Sequence, residues 1–156
     1  MLTGLIGLSS GYVSIYNHDL EDELAAIRKI TGICPQHNVL IPSLTVREHL
    51  NLFGQIKGLF GRRLTEAVDQ IIEEIGLVEK KHVNASSLSG GMQRKLSLAI
   101  ALLGDPKFCL LDEPTSGLDV ITADNIIQLI KDCREQGKTV IFSSHIMTEV
   151  DLLCDD

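Results

Sequence analysis

The spacing of hydrophobic positions changes several times along the chain, and each change predicts a new element. Tyr12-Val13-Ser14-Ile15-Tyr16 alternates and is β-branched or aromatic, which predicts a strand leaving the Ser9-Ser10-Gly11 turn. The polar run Glu21 to Lys29 predicts a short helix. Ile30-Thr31-Gly32-Ile33-Cys34 then reads as a second strand, stopped by Pro35, which has no amide proton to give a ladder. Thr45-Val46-Arg47-Glu48 has the form of a capping box and predicts a helix to about Lys57, with Gly58 as its stop. Leu64, Ala67, Val68, Ile71, Ile72 and Ile75 recur at three- and four-residue steps, the stripe of an amphipathic helix ending at Gly76.

A third strong helix is predicted from Ser89 to Leu103, broken by Gly104-Asp105-Pro106 before the apolar strand Phe108-Cys109-Leu110-Leu111. A helix from about Ile121 to Arg134 ends at Gly137. Thr139-Val140-Ile141-Phe142 is almost wholly apolar, the pattern of a parallel strand covered on both faces, and Met147 to Leu153 predicts a final short helix. Helices fill the middle of the chain, while the C-terminal part alternates strand and helix as an α/β layer does. The chain opens without a complete α/β unit and stops in Cys154-Asp155-Asp156 without a closing strand, so it reads as cut at both ends.

Composition narrows the classes. In 156 residues, 44% hydrophobic and 22% charged, one ordinary core is affordable, and 21 acidic against 14 basic side chains give a net charge of -7. That balance sets no field to gather nucleic acid or an anionic membrane surface, so any affinity for phosphate must be local. The longest apolar runs, such as Leu96 to Leu103, fall far short of a bilayer crossing, and the N-terminus lacks the marks of a signal peptide; the domain is expected to face the cytosol. Cys34, Cys109, Cys133 and Cys154 are too scattered for a zinc site and read as reduced core thiols. Among His18, His37, His49, His82 and His145, only His145 gains meaning from its neighbours.

The strongest chemical signal is Leu88-Ser89-Gly90-Gly91-Met92-Gln93-Arg94-Lys95. Two glycines at a helix start bare the backbone amides, and with the Ser89 hydroxyl and the positive helix end they form a site for phosphate oxygens. Standing alone, the run would equally suit an ordinary helix cap. Downstream, Asp112 and Glu113 close an apolar strand at the edge where ligands of open α/β sheets sit, although such a pair is by itself more often a solvated turn. Ser116-Gly117-Leu118-Asp119 is a common turn sequence, and His145 follows the last strand.

Their order is what distinguishes them. Gln36 in Cys34-Pro35-Gln36-His37-Asn38, then Ser89, Asp112, Asp119 and His145 resemble the Q-loop, signature, Walker B, D-loop and switch histidine of ATP-binding-cassette ATPases, and the resemblance covers essentially the whole chain. Thr45-Val46-Arg47-Glu48-His49-Leu50 and Gly90-Gly91-Met92-Gln93-Arg94-Lys95-Leu96-Ser97 look most like subfamily A, whose characterised members largely move lipids and sterols.

The resemblance implies an α/β, P-loop NTPase-like parallel sheet, with a helical subdomain over about residues 42–104 inserted into a RecA-like remainder at 1–41 and 105–156. It implies ATP and Mg²⁺ as ligands: Asp112 and Gln36 toward the metal, Glu113 polarising the attacking water, and His145 at the γ-phosphate. Ser89, Gly90, Gly91 and Gln93 would meet the ATP of a second nucleotide-binding domain in a head-to-tail sandwich, with Asp119 crossing that dimer. The implied partners are that domain and the membrane domains of a lipid exporter, on the cytosolic face of a membrane and without nucleic acid.

One part of the pattern is lacking. No G-x-x-x-x-G-K-[ST] run occurs; Gly137-Lys138-Thr139 offers the last letters, but Asp132 stands five positions before Gly137, and the segment reads as a helix stop. Met1 to Leu5 resembles the end of the helix that follows Walker A, Tyr12 and Tyr16 read as strand residues and not as an adenine stack, and Asp156 stands where the family usually has Arg. Two rivals follow. One is a catalytically inert cassette fragment. The other is a soluble cassette ATPase of DNA or ribosomes, disfavoured by the short helices before the signature and by the acidic charge.

Overall fold

The computed structural model describes residues 2–154, so Asp156 and its departure from the family pattern lie outside the described residues. Three parallel strands form its sheet, in the order β3 (Thr31–Cys34), β4 (Phe108–Asp112), β5 (Thr139–Ser143). Before them come a hairpin of β1 (Ser14–Ile15) and β2 (His18–Asp19) and a helix, α1 (Leu24–Ile30). Between β3 and β4 lie α2 (Val46–Ile56), α3 (Gly61–Glu74) and α4 (Gly90–Leu102). The helix α5 (Val120–Glu135) joins β4 to β5, and α6 (Met147–Leu153) follows β5.

Register decides what the sheet presents. Cys34 pairs with Leu111 and Asp112 with Ser143, so the three strands end within one residue of one another, and the loops bearing Gln36, Glu113 and His145 leave from one edge. Alternation along β4 divides the core in two. Cys109 and Leu111 join the large cluster under α2 to α5, while Phe108 and Leu110 pack with Ile15, Leu20 and Ile27 from the hairpin and α1. On the larger face α4 lies directly on β3: a Cβ placed on Gly32 would sit 2.3 Å from the Ala101 carbonyl oxygen, so only glycine admits this approach.

The predicted helices form where their caps put them. Thr45 and Glu48 close a full capping box, the Thr45 hydroxyl accepting from the Glu48 amide at 3.2 Å and the Glu48 carboxylate from the Thr45 amide at 2.8 Å. Gly58 and Gly76 end α2 and α3 with φ of +86° and +66°. Gly137, at +79°, turns the chain from α5 into β5, and Lys138 pairs with Asp105 at 2.9 Å, as befits a helix stop.

Four expectations need correction. The strand over Tyr12 to Tyr16 shortens to two residues because Tyr16 and Asn17 adopt φ of +51° and +65° and reverse the chain into a hairpin. The first helix starts at Leu24, since the Asp19 carboxylate holds the amides of Glu21 and Asp22 in a turn. β5 is not covered on both faces: Val140 and Phe142 reach the core, whereas Ile141 is 47% exposed, because α1 and the hairpin cover only the neighbouring part of that side. Cys34, Cys109 and Cys133 are buried thiols, but Cys154 is exposed.

His49 also has a defined place that its sequence context did not reveal. It is fully buried; the Ile41 amide donates to Nε2 at 2.9 Å, so the proton resides on Nδ1, 2.9 Å from the Thr45 carbonyl. No helix among the described residues is long and apolar enough to cross a membrane.

Candidate functional site

At the C-terminal edge of the sheet, Asp112 ends β4 and Glu113 follows with φ of +47°, a left-handed conformation that a side-chain-bearing residue holds only when its surroundings fix it. Ser143 supplies that fixing from the neighbouring strand. Its carbonyl accepts the Glu113 amide at 3.2 Å, its hydroxyl oxygen also lies 3.0 Å from that amide, and the hydroxyl donates to Asp112 Oδ1 at 2.6 Å. One serine thus sets both acids. Glu113 Oε2 then meets His145 Nδ1 at 2.6 Å, so the acid pair and the histidine that the sequence placed 32 positions apart share one site.

His145 is itself held from below. Glu149, buried on α6, accepts the Ser144 hydroxyl at 2.7 Å, and that hydroxyl oxygen takes the Ile146 amide at 3.0 Å, which fixes the backbone on both sides of the imidazole. Gln36 is exposed in the loop after β3, on the same edge. Asp112 and Gln36 put a carboxylate and an amide oxygen at this edge, hard oxygen donors of the kind Mg²⁺ takes alongside its own waters.

Ser89, Gly90 and Gly91 make a separate exposed tip. Ser89 caps α4, its hydroxyl oxygen accepting the Met92 amide at 3.3 Å, and the first-turn amides of Gly90 and Gly91 have no intrahelical acceptor. A Cβ on Gly90 would meet nothing within 4 Å, whereas one on Gly91 would lie 3.0 Å from Thr122 Cγ2. Thr122 in turn is tied to Asp119, which caps α5 by accepting the Thr122 amide at 3.0 Å and hydroxyl at 2.8 Å. The Thr122 hydroxyl bond holds the Asp119 carboxyl below its ordinary range. Gln93 turns inward, its Nε2 donating to the Ala85 and Leu88 carbonyls at 3.0 and 3.3 Å, so it braces the loop behind the tip.

The space around Gly90 allows a clean test of the tip. Gly90→Ala is expected to leave thermal stability unchanged or slightly raised, since alanine favours a helix. If the tip receives phosphate, ATP turnover in the full protein should fall by about tenfold or more, the worth of one charge-assisted hydrogen bond displaced by a methyl group. Unchanged turnover would remove the tip from the phosphate site.

The sequence reading missed Arg94, Ser143, Glu149 and Thr122. Arg94 could have been found: it precedes Leu98 by one helical step of four on the core-facing side of α4, where a charge signals a buried cation with partners.

A three-stranded parallel sheet with helices packed on it, and an acid pair and a histidine at its C-terminal edge, agrees with the P-loop NTPase-like fold of ABC ATPases. The model of the ABC transporter family matches residues 1–116, and the chain belongs to that family. It is 45% identical over 155 residues to the retinal-specific phospholipid-transporting ATPase ABCA4 of Homo sapiens, which covers 99% of this chain and 7% of that protein. It is 42% identical to the phospholipid-transporting ATPase ABCA3 of Mus musculus, over 99% of this chain and 9% of the relative. With the ATP-binding cassette sub-family A member 7 of Rattus norvegicus the identity is 43%, over 99% and 7%. The chain therefore spans less than a tenth of these relatives.

Proposed function

We propose that this chain is part of the ATP-hydrolysing domain of a lipid-exporting ABC transporter, working on the cytosolic face of a membrane against the transporter's membrane domains. The observation that carries the reading is the ending of three parallel strands within one residue of one another, which gathers Gln36, Asp112, Glu113 and His145 on one edge with Glu113 and His145 in hydrogen-bond contact. The printed names of relatives that transport phospholipids support the choice of a lipid cargo.

In this reading residues 42–104 form the helical subdomain, and α4 ties it to the sheet. Asp112 and Gln36 hold Mg²⁺, which neutralises charge on the phosphates when bound. Glu113 orients the attacking water and accepts its proton, with its carboxylate aimed by the Ser143 contacts to its backbone. His145 donates to the γ-phosphate, and its Nδ1 contact with Glu113 sets the ring. Ser89, Gly90 and Gly91 receive the ATP held by a second nucleotide-binding domain, Gln93 braces that tip, and Asp119 crosses to the same partner. No part is assigned to nucleic acid.

The lack of a G-x-x-x-x-G-K-[ST] run in these 156 residues favours a second statement: in isolation this stretch supplies the signature half of a site and does not turn over ATP.

Asp112→Asn in the full transporter tests the assignment. Mg²⁺-dependent retention of ATP should weaken by about 10–100-fold, the cost of losing a carboxylate that steadies the metal's waters. Retention equal to the wild type would exclude Asp112 from the metal site.

A further inference from the structure

Arg94 lies only 3% exposed on α4, five residues past Ser89 and so about 7.5 Å along the helix from the tip. Among the described residues, its hydrogen bonds all go to neutral oxygens. Nε donates to the Pro114 carbonyl at 2.8 Å, and Nη2 to the carbonyls of Asp112 and Glu113 at 2.7 and 2.9 Å. Nη1 donates to the carbonyls of Pro35 and Gln36 at 2.5 and 3.1 Å, with Asn38 Oδ1 at 3.5 Å. Among the described residues no carboxylate bonds the cation, and converging carbonyl dipoles stabilise it.

These acceptors come from two segments that share no hydrogen-bonding ladder beyond the strand ends: the loop carrying Gln36 and the turn carrying the acid pair. A guanidinium presents five N–H donors in a rigid planar fork, so it can hold both segments at fixed directions from one point, which an ammonium on a flexible stem cannot do. The same helix ends in Ser89 and Gly90. Arg94 therefore joins the helix that starts at this tip to the backbone of Gln36, Asp112 and Glu113.

We infer that Arg94 is a positioning residue that couples the two nucleotide sites: it locks the Gln36 loop and the Asp112–Glu113 turn to the signature helix, so that contact of the tip with the partner's ATP sets the acid pair that serves the chain's own ATP. The inference rests on the catalytic reading of Glu113 given above. It assigns to a buried side chain, which touches no ligand, control over how the reacting groups are aimed.

The test uses the full transporter with Arg94→Lys, beside Glu113→Gln as the control on the catalytic reading. In Arg94→Lys, kcat per folded molecule should fall by about 10–100-fold, the scale set by misplacing reacting groups by about 1 Å. KM for ATP should stay within about threefold, since no binding group is removed. Amide hydrogen exchange without nucleotide should rise together in residues 34–38 and 112–116 while α2 stays unchanged. A loss confined to the amount of folded protein, with kcat per molecule intact, would reduce Arg94 to a structural residue and overturn the coupling.

A measurement on the unaltered protein keeps the proposal open to refutation if the variant fails to fold. The two segments should open as one unit in wild-type exchange, and both should gain protection when the tip engages ATP; independent opening would overturn the inference. If Glu113→Gln keeps full turnover, the catalytic reading has failed instead, and the exchange data alone decide whether Arg94 joins the segments.

Discussion

Replacing Glu113 by glutamine in the full transporter should lower ATP turnover by about 10²–10⁴-fold, the usual contribution of a positioned general base, while ATP stays bound. The structure explains why the loss should be confined to chemistry. Glu113 is held by its backbone, through the Ser143 carbonyl and hydroxyl and the Arg94 contact to its own carbonyl, and none of these bonds depends on the charge of the side chain. Glutamine has the same length, and its amide oxygen can still accept from His145 Nδ1, where the carboxylate now lies at 2.6 Å. What glutamine cannot do is take a proton from water. Single-turnover assays with trapped nucleotide measure both halves of the expectation, and turnover within twofold of wild type, roughly 0.4 kcal/mol, would remove Glu113 from the catalytic role.

Groups whose meaning depends on local runs were legible in the sequence, and groups whose meaning depends on long-range contacts were not. The capping box at Thr45, the helix stop at Gly137 and the apolar strand before Asp112 are written within a few residues of each other, because caps, turns and periodicity are short-range physics. Motif order singled out Ser89, Glu113 and His145, but the direct hydrogen bond between Glu113 and His145 was seen only in the structure. Ser143 and Arg94 act across 31 and 59 positions, respectively; Arg94 meets mostly backbone carbonyls and Ser143 holds the Glu113 backbone amide, and backbone groups have no sequence identity to read. The exposed face of β5 was missed for a related reason: an apolar run states that a strand can be covered, and its position third in the sheet determines how much of it is.

Stability should rise with pH between about 8 and 10.5 through one side chain, Lys57. Its ammonium group lies against the end of α4 and donates to the carbonyls of Ile100, Ala101 and Leu103 at 2.8, 2.7 and 2.9 Å, satisfying acceptors that the helix leaves open. Burial nonetheless pushes it down from 10.5 to about 8. The unfolded chain then holds this proton more tightly than the folded one, so unfolding free energy climbs with pH across that window, by about 1.4 kcal/mol per unit and up to about 3 kcal/mol in all. A neutral amine keeps two N–H donors for the three carbonyls, so deprotonation relieves the buried charge without abandoning the cap. Thiols act in the opposite sense above pH 9: burial raises Cys109 from 9.0 to about 11, and its contribution is full below 9.0 and lost as pH approaches the higher value. The sum of the two is therefore a poor readout, and the difference between wild type and Lys57→Met isolates the lysine. In urea denaturation from pH 7 to 10.5 the stability gap between them should widen with pH, because methionine can neither titrate nor cap. Parallel profiles would mean that the three carbonyls hold the ammonium at its ordinary pKa and that desolvation at this helix end is weaker than its burial implies.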